Sequence, residues 1–277
     1  MSRLTFLGTG GAFTDFRVNY HNNLLVQPDP SGTRSSSKRY ILIDCGATAV
    51  QSLKELGVHP WEIEGVIITH LHGDHIAGIE QLLWERFYTG PDGPSWCSTD
   101  LYASRGILDG LRANLTPCVN EFIDRDSLGK VGGYDVLVME QEMGTGADGQ
   151  CHRIITDTSF SLHPTSHVIS VDGVVNKEAY GVEIRDEGGI GSCYYTSDTV
   201  FDETVGDRFP AGLIFHDCSF TPCYPGTVHT HYEELLTLPR EVRARIVLMH
   251  HTQVPPEIDV RADGFHGAAR RHEIFDI

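Results

Sequence analysis

The chain has 277 residues, with 38 Asp and Glu against 21 Lys and Arg, giving a formal net charge of −17. So acidic a surface argues against extended nucleic acid as a partner, because affinity for a phosphate backbone comes largely from Lys and Arg. It leaves room for a small phosphate-bearing ligand, since a bound cation can invert the local field. Forty per cent hydrophobic residues suit a globular protein with a substantial core.

No stretch approaches the roughly 20 apolar residues a membrane helix needs, so no membrane partner is expected. The start, Met1-Ser2-Arg3-Leu4, carries no apolar run after a basic stretch. The seven cysteines are odd in number and include no C-x-x-C pair. A reducing, cytoplasmic location is therefore expected rather than a disulfide framework. Cys218 and Cys223 could be half a zinc site, but no second pair stands at suitable spacing.

In chain order, short apolar runs at 4–7, 24–27 and 40–44 read as strands. Residues 28–37 read as a surface loop. A helical period covers 47–56 and stops at Gly57, and 66–69 is a buried strand. Ile76, Ile79, Leu82, Leu83 and Phe87 place a second helix over 76–87. The Pro-, Gly- and Ser-rich stretch 89–99 reads as a loop, followed by a strand around Leu101 and a helix over 107–115. Further strands are expected at 134–139, 153–156, 160–163, 180–184, 192–196, 213–216 and 246–249. A turn is expected at 144–149 and a short helix at 232–236. There is no repeat and no linker, so one domain over 1–277 is expected. Strands in both halves with helices between them suggest two packed sheets flanked by helices.

Thr69-His70-Leu71-His72-Gly73-Asp74-His75 sets three imidazoles and a carboxylate directly after an apolar strand. Such side chains at a strand end can converge on one point, and His nitrogen and Asp oxygen both suit Zn²⁺. Leu71 lets His70 and His72 project the same way, and Gly73 permits Asp74 and His75 to turn toward a second position. Fifteen histidines make clustering alone cheap. The H-x-H-x-D-H order at a strand end is much more specific.

These residues resemble the metallo-β-lactamase-fold hydrolases, and within them the ribonuclease Z-like phosphodiesterases. Phe6-Leu7-Gly8-Thr9-Gly10-Gly11-Ala12 and Ile43-Asp44-Cys45-Gly46 match that group in order. The resemblance spans nearly the whole chain and implies a four-layer αββα sandwich. It implies two zinc ions, with Mn²⁺ as an alternative. His70, His72 and His167 would bind one ion, Asp74, His75 and His250 the other, and Asp198 would bridge them. His251 competes with His250. Asp198 is a hard carboxylate where the antibiotic-hydrolysing branch has Cys, and His72 stands where the di-iron relatives have Glu.

Two such ions would activate a water near neutral pH, with Asp74 orienting it or taking its proton. The segment His216-Asp217-Cys218-Ser219-Phe220, then His229-Thr230-His231, resembles the one carrying the family's catalytic histidine. His229 is read as general acid, with His231 as the alternative. Asp44 is either a partner to a ligating imidazole or a turn residue. Gly8-x-Gly10-Gly11 lacks a following helix, so it reads as a tight turn near the metals rather than a phosphate loop.

The expected reaction is hydrolysis of a small phosphodiester, most plausibly a cyclic mononucleotide. A transfer-RNA 3′-processing endonuclease is the main alternative, but those enzymes carry a basic arm and usually Glu after Gly46, where this chain has Ala47. Lactone or ester hydrolysis and a non-catalytic metal sensor are the others. The resemblance also implies a homodimer. The aromatic-rich segment 84–97, with Trp84, Phe87, Tyr88 and Trp96, could be an interface, a lid or plain core.

Overall fold

A computed structural model of the chain describes residues 2–28, 40–90, 98–119, 122–123, 130–131, 133–143, 151–155, 158–167, 178–186, 192–223, 226–251 and 253–277, with backbone alone at 122–123, 130–131 and 151–154. The expected loops at 28–37 and 144–149 fall largely outside these residues, as do Trp96 and Cys97.

Two seven-stranded sheets pack face to face. The first runs Ile274–Asp276, Arg3–Gly8, Asn23–Gln27, Tyr40–Ile43, Ile63–Ile67, Thr99–Ala103, Val138–Glu142. The second runs Gly267–Ala268, Ile246–Met249, Leu213–Asp217, Ser192–Tyr195, Tyr180–Asp186, Thr158–Pro164, Cys151–Ile155. Helices Ala49–Glu55, Ile79–Tyr88 and Arg105–Val119 bury Val50, Leu53, Leu82, Leu83, Ile107 and Leu111 in the core shared with the first sheet. Alternation splits the strands of the second sheet. Tyr195, Phe215 and Val247 join that same core, while Tyr194, Ile214 and Leu248 face a second cluster with Val205, Leu235 and Phe265. Phe6, Phe215 and Phe275 tie the sheets together edge-to-face, with ring centroids 5.0–5.9 Å apart. The result is the αββα sandwich expected from the sequence.

Strand direction positions the site. Tyr40–Ile43 and Ile63–Ile67 pair parallel. So do Ser192–Tyr195, Leu213–Asp217 and Ile246–Met249. Arg3–Gly8 and Thr158–Pro164 each lie two antiparallel steps from these, so they point the same way within their own sheets. The segments holding Gly11, Asp44, His70, His167, Asp198, Asp217 and His250 therefore leave the carboxyl ends of similarly directed strands, where open parallel sheets bind ligands.

Two expectations change. Residues 134–139 are not one strand: Tyr134–Leu137 is a helical turn and Val138–Glu142 the strand. Gly133, at φ 126°, starts that turn, and one turn is too short for its period to register in the sequence. The helix over 76–87 is two pieces, Gly73–Ile76 and Ile79–Tyr88, separated at Gly78, where a Cβ would drive into the Gly46 carbonyl. Trp84 and Phe87 pack with the core, while Tyr88 is exposed. Among the described residues no helix is long and apolar enough to cross a membrane.

Candidate metal centre

The strand Ile63–Ile67 ends in a buried loop, and the chain turns into a helix at Gly73. That turn divides the motif. His70 Nε2 lies 3.2 Å from His72 Nδ1, which lies 3.0 Å from His167 Nε2. Asp198 Oδ2 stands 3.7 Å and 3.5 Å from His70 Nε2 and His167 Nε2. On the other side, Asp198 Oδ1 lies 3.3 Å from His75 Nε2 and 3.2 Å from His250 Nε2, while Asp74 Oδ2 is 3.4 Å from each of those nitrogens. Two donors bound tetrahedrally to one zinc sit roughly 3.3–3.6 Å apart. Both groups approach that spacing, and one carboxylate offers a different oxygen to each.

The surroundings fit cations. Asp44, Asp74, Asp198 and Asp217 are all buried, and their ion-pair partners among the described residues are all imidazoles. Four buried carboxylates in one cluster favour bound cations, which would offset their charge. His75 Nε2 and Asp198 Oδ1 face each other without hydrogen-bond geometry, both orphaned. Burial, then the neighbouring His75, holds His70 well below its ordinary pKa, and burial lowers that of His167, so both rings keep a free lone pair. Burial opposes charge on His75 and His250, but Asp198 with Asp44 or Asp217 outweighs it and draws a proton onto each ring. A bound cation would take that proton's place, so metal affinity should weaken as pH falls.

Neighbouring groups orient the donors. Asp44 Oδ2 lies 2.7 Å from His75 Nδ1 and accepts from Thr69 Oγ1, and Asp44 Oδ1 accepts from the Thr69 amide. This leaves His75 Nε2 facing the cluster. His167 Nδ1 donates to the Val228 carbonyl at 2.7 Å. Asp44, Ser197 and His250 all adopt left-handed backbone, at φ 61°, 53° and 61°. Such conformations cost on the order of 1 kcal/mol or more each and persist where packing dictates them.

Gly11 abuts His250, so the Gly8–Gly11 stretch is a turn against the cluster: a Cβ there would stand 2.9 Å from His250 Cε1. A Cβ at Gly46 would drive into the Asp74 carbonyl and reach 2.9 Å from His21 Nδ1. Gly46→Ala is therefore expected to cost about 1–3 kcal/mol and to lower metal content by displacing Asp74. Denaturant unfolding and elemental analysis check this; unchanged values in both would rule the contact out as a constraint.

His229 stands at the open edge with 29% of its side chain exposed, Nδ1 2.8 Å from Asp217 Oδ2. Its ring lies 5.1 Å from that of His167 and 4.8 Å from that of His250. Burial lowers its basicity, but Asp217 outweighs this and raises it overall. His231 has both nitrogens engaged, by the Thr221 carbonyl and Thr227 Oγ1, and its main-chain amide donates to Glu234 Oε2 at the start of the short helix Tyr232–Leu235. His251 is not among the clustered donors; its ring faces Phe220, 5.5 Å away. Cys218 is buried in the outer apolar cluster and Cys223 is exposed, and neither joins a metal group among the described residues. Two residues were not singled out from the sequence. Asp217 holds His229, and buried His21 sits beside Gly46 with Phe16 edge-on at 4.9 Å.

The sequence model of the family described as Anti-Pycsar protein Apyc1 matches residues 2–275. The chain belongs to the Apyc1 family. It is 31% identical over 253 residues to the Apyc1 protein of Bacillus phage 010DV004, covering 90% of this chain and 88% of the relative. It is 28% identical over 286 residues to that of Paenibacillus sp. (strain J14), covering 99% of each. The fold matches the metallo-β-lactamase fold protein YhfI from Bacillus subtilis with a TM-score of 0.72 at 18% identity, over 99% of this chain and 98% of that one. The family shown is Apyc1, and the likeness in fold agrees with the metallo-β-lactamase fold that the motifs resemble. As a member, the chain is a metal-dependent hydrolase. Its described residues form three overlapping groups able to hold a metal ion, the two above and Asp198, Asp217, His229 and His250.

Proposed function

We propose that this Apyc1-family chain is a dinuclear zinc phosphodiesterase that opens a small cyclic mononucleotide to the linear monophosphate. One observation supports this above all: Asp198 turns one oxygen to the His70, His72, His167 group and the other to the Asp74, His75, His250 group. When bound there, two cations would supply paired Lewis acids that activate a water near neutral pH and neutralise charge on a phosphoryl oxygen.

The chain's own residues do the rest. Asp74 is the carboxylate placed to orient the attacking water or accept its proton. Opposing burial, the imidazoles of His250 and His75 hold it well below the usual carboxylate range, so it stays ionised. His229, kept more basic by Asp217, carries the proton that the departing ribose oxygen needs. Phe13, two residues past Gly11 in the same loop, is fully exposed, and a free aromatic face suits stacking on a base. The formal charge of −17 gives a polyanion no footprint, whereas one phosphate can be neutralised at the centre itself.

The zinc-loaded protein is expected to hydrolyse a cyclic mononucleotide and to leave precursor transfer RNA intact at physiological salt. A screen against both, with generic phosphodiesters and lactones alongside, tests the reading. Efficient transfer-RNA cleavage would overturn the substrate, and turnover of lactones alone would overturn the reaction.

A further inference from the structure

His250 and His251 are consecutive but face different surroundings. The His251 side chain is more than nine-tenths buried, yet neither ring nitrogen has a hydrogen-bond partner among the described residues. His251 is nonetheless one of the residues around a cavity of about 670 Å³ formed by the loop around Thr9 to Asn19 and the C-terminal segment. A volume of that order accommodates a nucleotide-sized molecule.

The cavity concentrates positive charge in an acidic protein. Arg261, Arg270 and Arg271 line it, with Asp259 and Glu273 as its acids. Both acids are already engaged by main-chain amides. Asp259 Oδ1 accepts from the Arg261 and Ala262 amides, each at 3.1 Å, and Glu273 Oε2 accepts from the Arg270 amide at 2.9 Å. The Arg261 and Arg270 guanidiniums have no ion-pair partner among the described residues, and Arg271 lies 4.5 Å over the Tyr20 ring. Forked guanidinium donors with no carboxylate to answer them match the planar edges of a phosphoryl group.

We propose that this cavity is a second binding site, separate from the metal centre, for a small phosphate-bearing molecule of nucleotide size. Arg261 and Arg270 hold the phosphoryl group, and the apolar side of the cavity, with Val254, Ile258 and Val260, takes the remainder. The site is one residue from the metal centre. Thr9 Oγ1 and Asn19 Nδ2 both donate to the His251 carbonyl, at 3.4 Å and 3.3 Å, and the preceding residue is His250 with its left-handed backbone. Occupancy can therefore be felt at His250 through the main chain.

Calorimetric titration of the zinc-loaded protein with inorganic phosphate and, separately, with adenosine 5′-monophosphate tests this. Two equivalents of the monophosphate are expected per chain, one at the metals and one here. Arg261→Ala/Arg270→Ala should weaken one of them by roughly tenfold or more, with turnover in the absence of added ligand unchanged. Arg270→Glu, a single exposed change, should do the same. Weaker binding of inorganic phosphate at this site would show that the nucleoside is read as well, through the apolar side of the cavity. A single equivalent untouched by either variant would overturn the proposal. So would a dimer that the double substitution dissociates, because the cavity would then be an interface between copies.

Discussion

Asp198→Ala is expected to release both cations together and to lower turnover by at least about 10³-fold, the scale on which removing a key electrostatic group acts. The reason lies in its two oxygens, which stand 3.2–3.7 Å from four imidazole nitrogens in two different groups. Removing it leaves His70, His72 and His167 without a carboxylate, and leaves the other group with Asp74 alone. Elemental analysis should find about two ions in the parent and fewer than one in the variant. Stability provides a second readout. Ions at 100 times their dissociation constant stabilise a fold by about 2.7 kcal/mol. A chelator should therefore lower the parent's Tm markedly and the variant's hardly at all. Asp202→Ala, an acid outside the clustered donors, should keep both ions. A variant at Asp198 that retained two ions and full turnover would remove the bridge from the mechanism.

What could be read from the sequence divides along the range of the interactions. His70, His72, Asp74 and His75 lie within six residues, so their convergence is a local matter of one strand end and one turn. His167, Asp198 and His250 come from three other strands. Periodicity marks where each strand stops, but not that the strands run the same way, and their placement rested on resemblance. Asp217 shows the cost of reading singly. It ends an apolar strand as Asp44 does, and each carboxylate lies within hydrogen-bond reach of an imidazole Nδ1, His229 for Asp217 and His75 for Asp44. Reading every Asp at a strand end as a set would have found it. His21 left no such signal, because its place against Gly46 depends on the approach of two distant loops. The choices between neighbouring histidines also needed coordinates. His231 turns both nitrogens to local partners and His251 turns toward Phe220, and no pattern in His-Thr-His or His-His predicts which ring faces inward.

His229→Ala is expected to separate good leaving groups from poor ones. A ribose alkoxide departs from phosphorus only with a proton supplied, whereas an activated aryl oxide leaves nearly unaided. The variant should therefore lose about 10²–10⁴-fold on a cyclic mononucleotide and only a small factor on an activated aryl phosphodiester. Asp217 raises the pKa of His229 against the opposing effect of burial, so the acid form persists to higher pH than in a free imidazole. The sign follows directly. Turnover of the poor leaving group should fall as pH rises through that raised pKa, and the fall should be absent in the variant. Asp217→Asn keeps a hydrogen-bonding side chain but removes the charge, so it should move the same limb to lower pH. His231→Ala instead removes the ring's bonds to the Thr221 carbonyl and Thr227 Oγ1 and should reduce stability by about 1–3 kcal/mol without discriminating between leaving groups. If His229→Ala slows both substrates equally, the ring orders the site rather than donating the proton, and the leaving oxygen takes its proton from solvent through the open edge where His229 is 29% exposed.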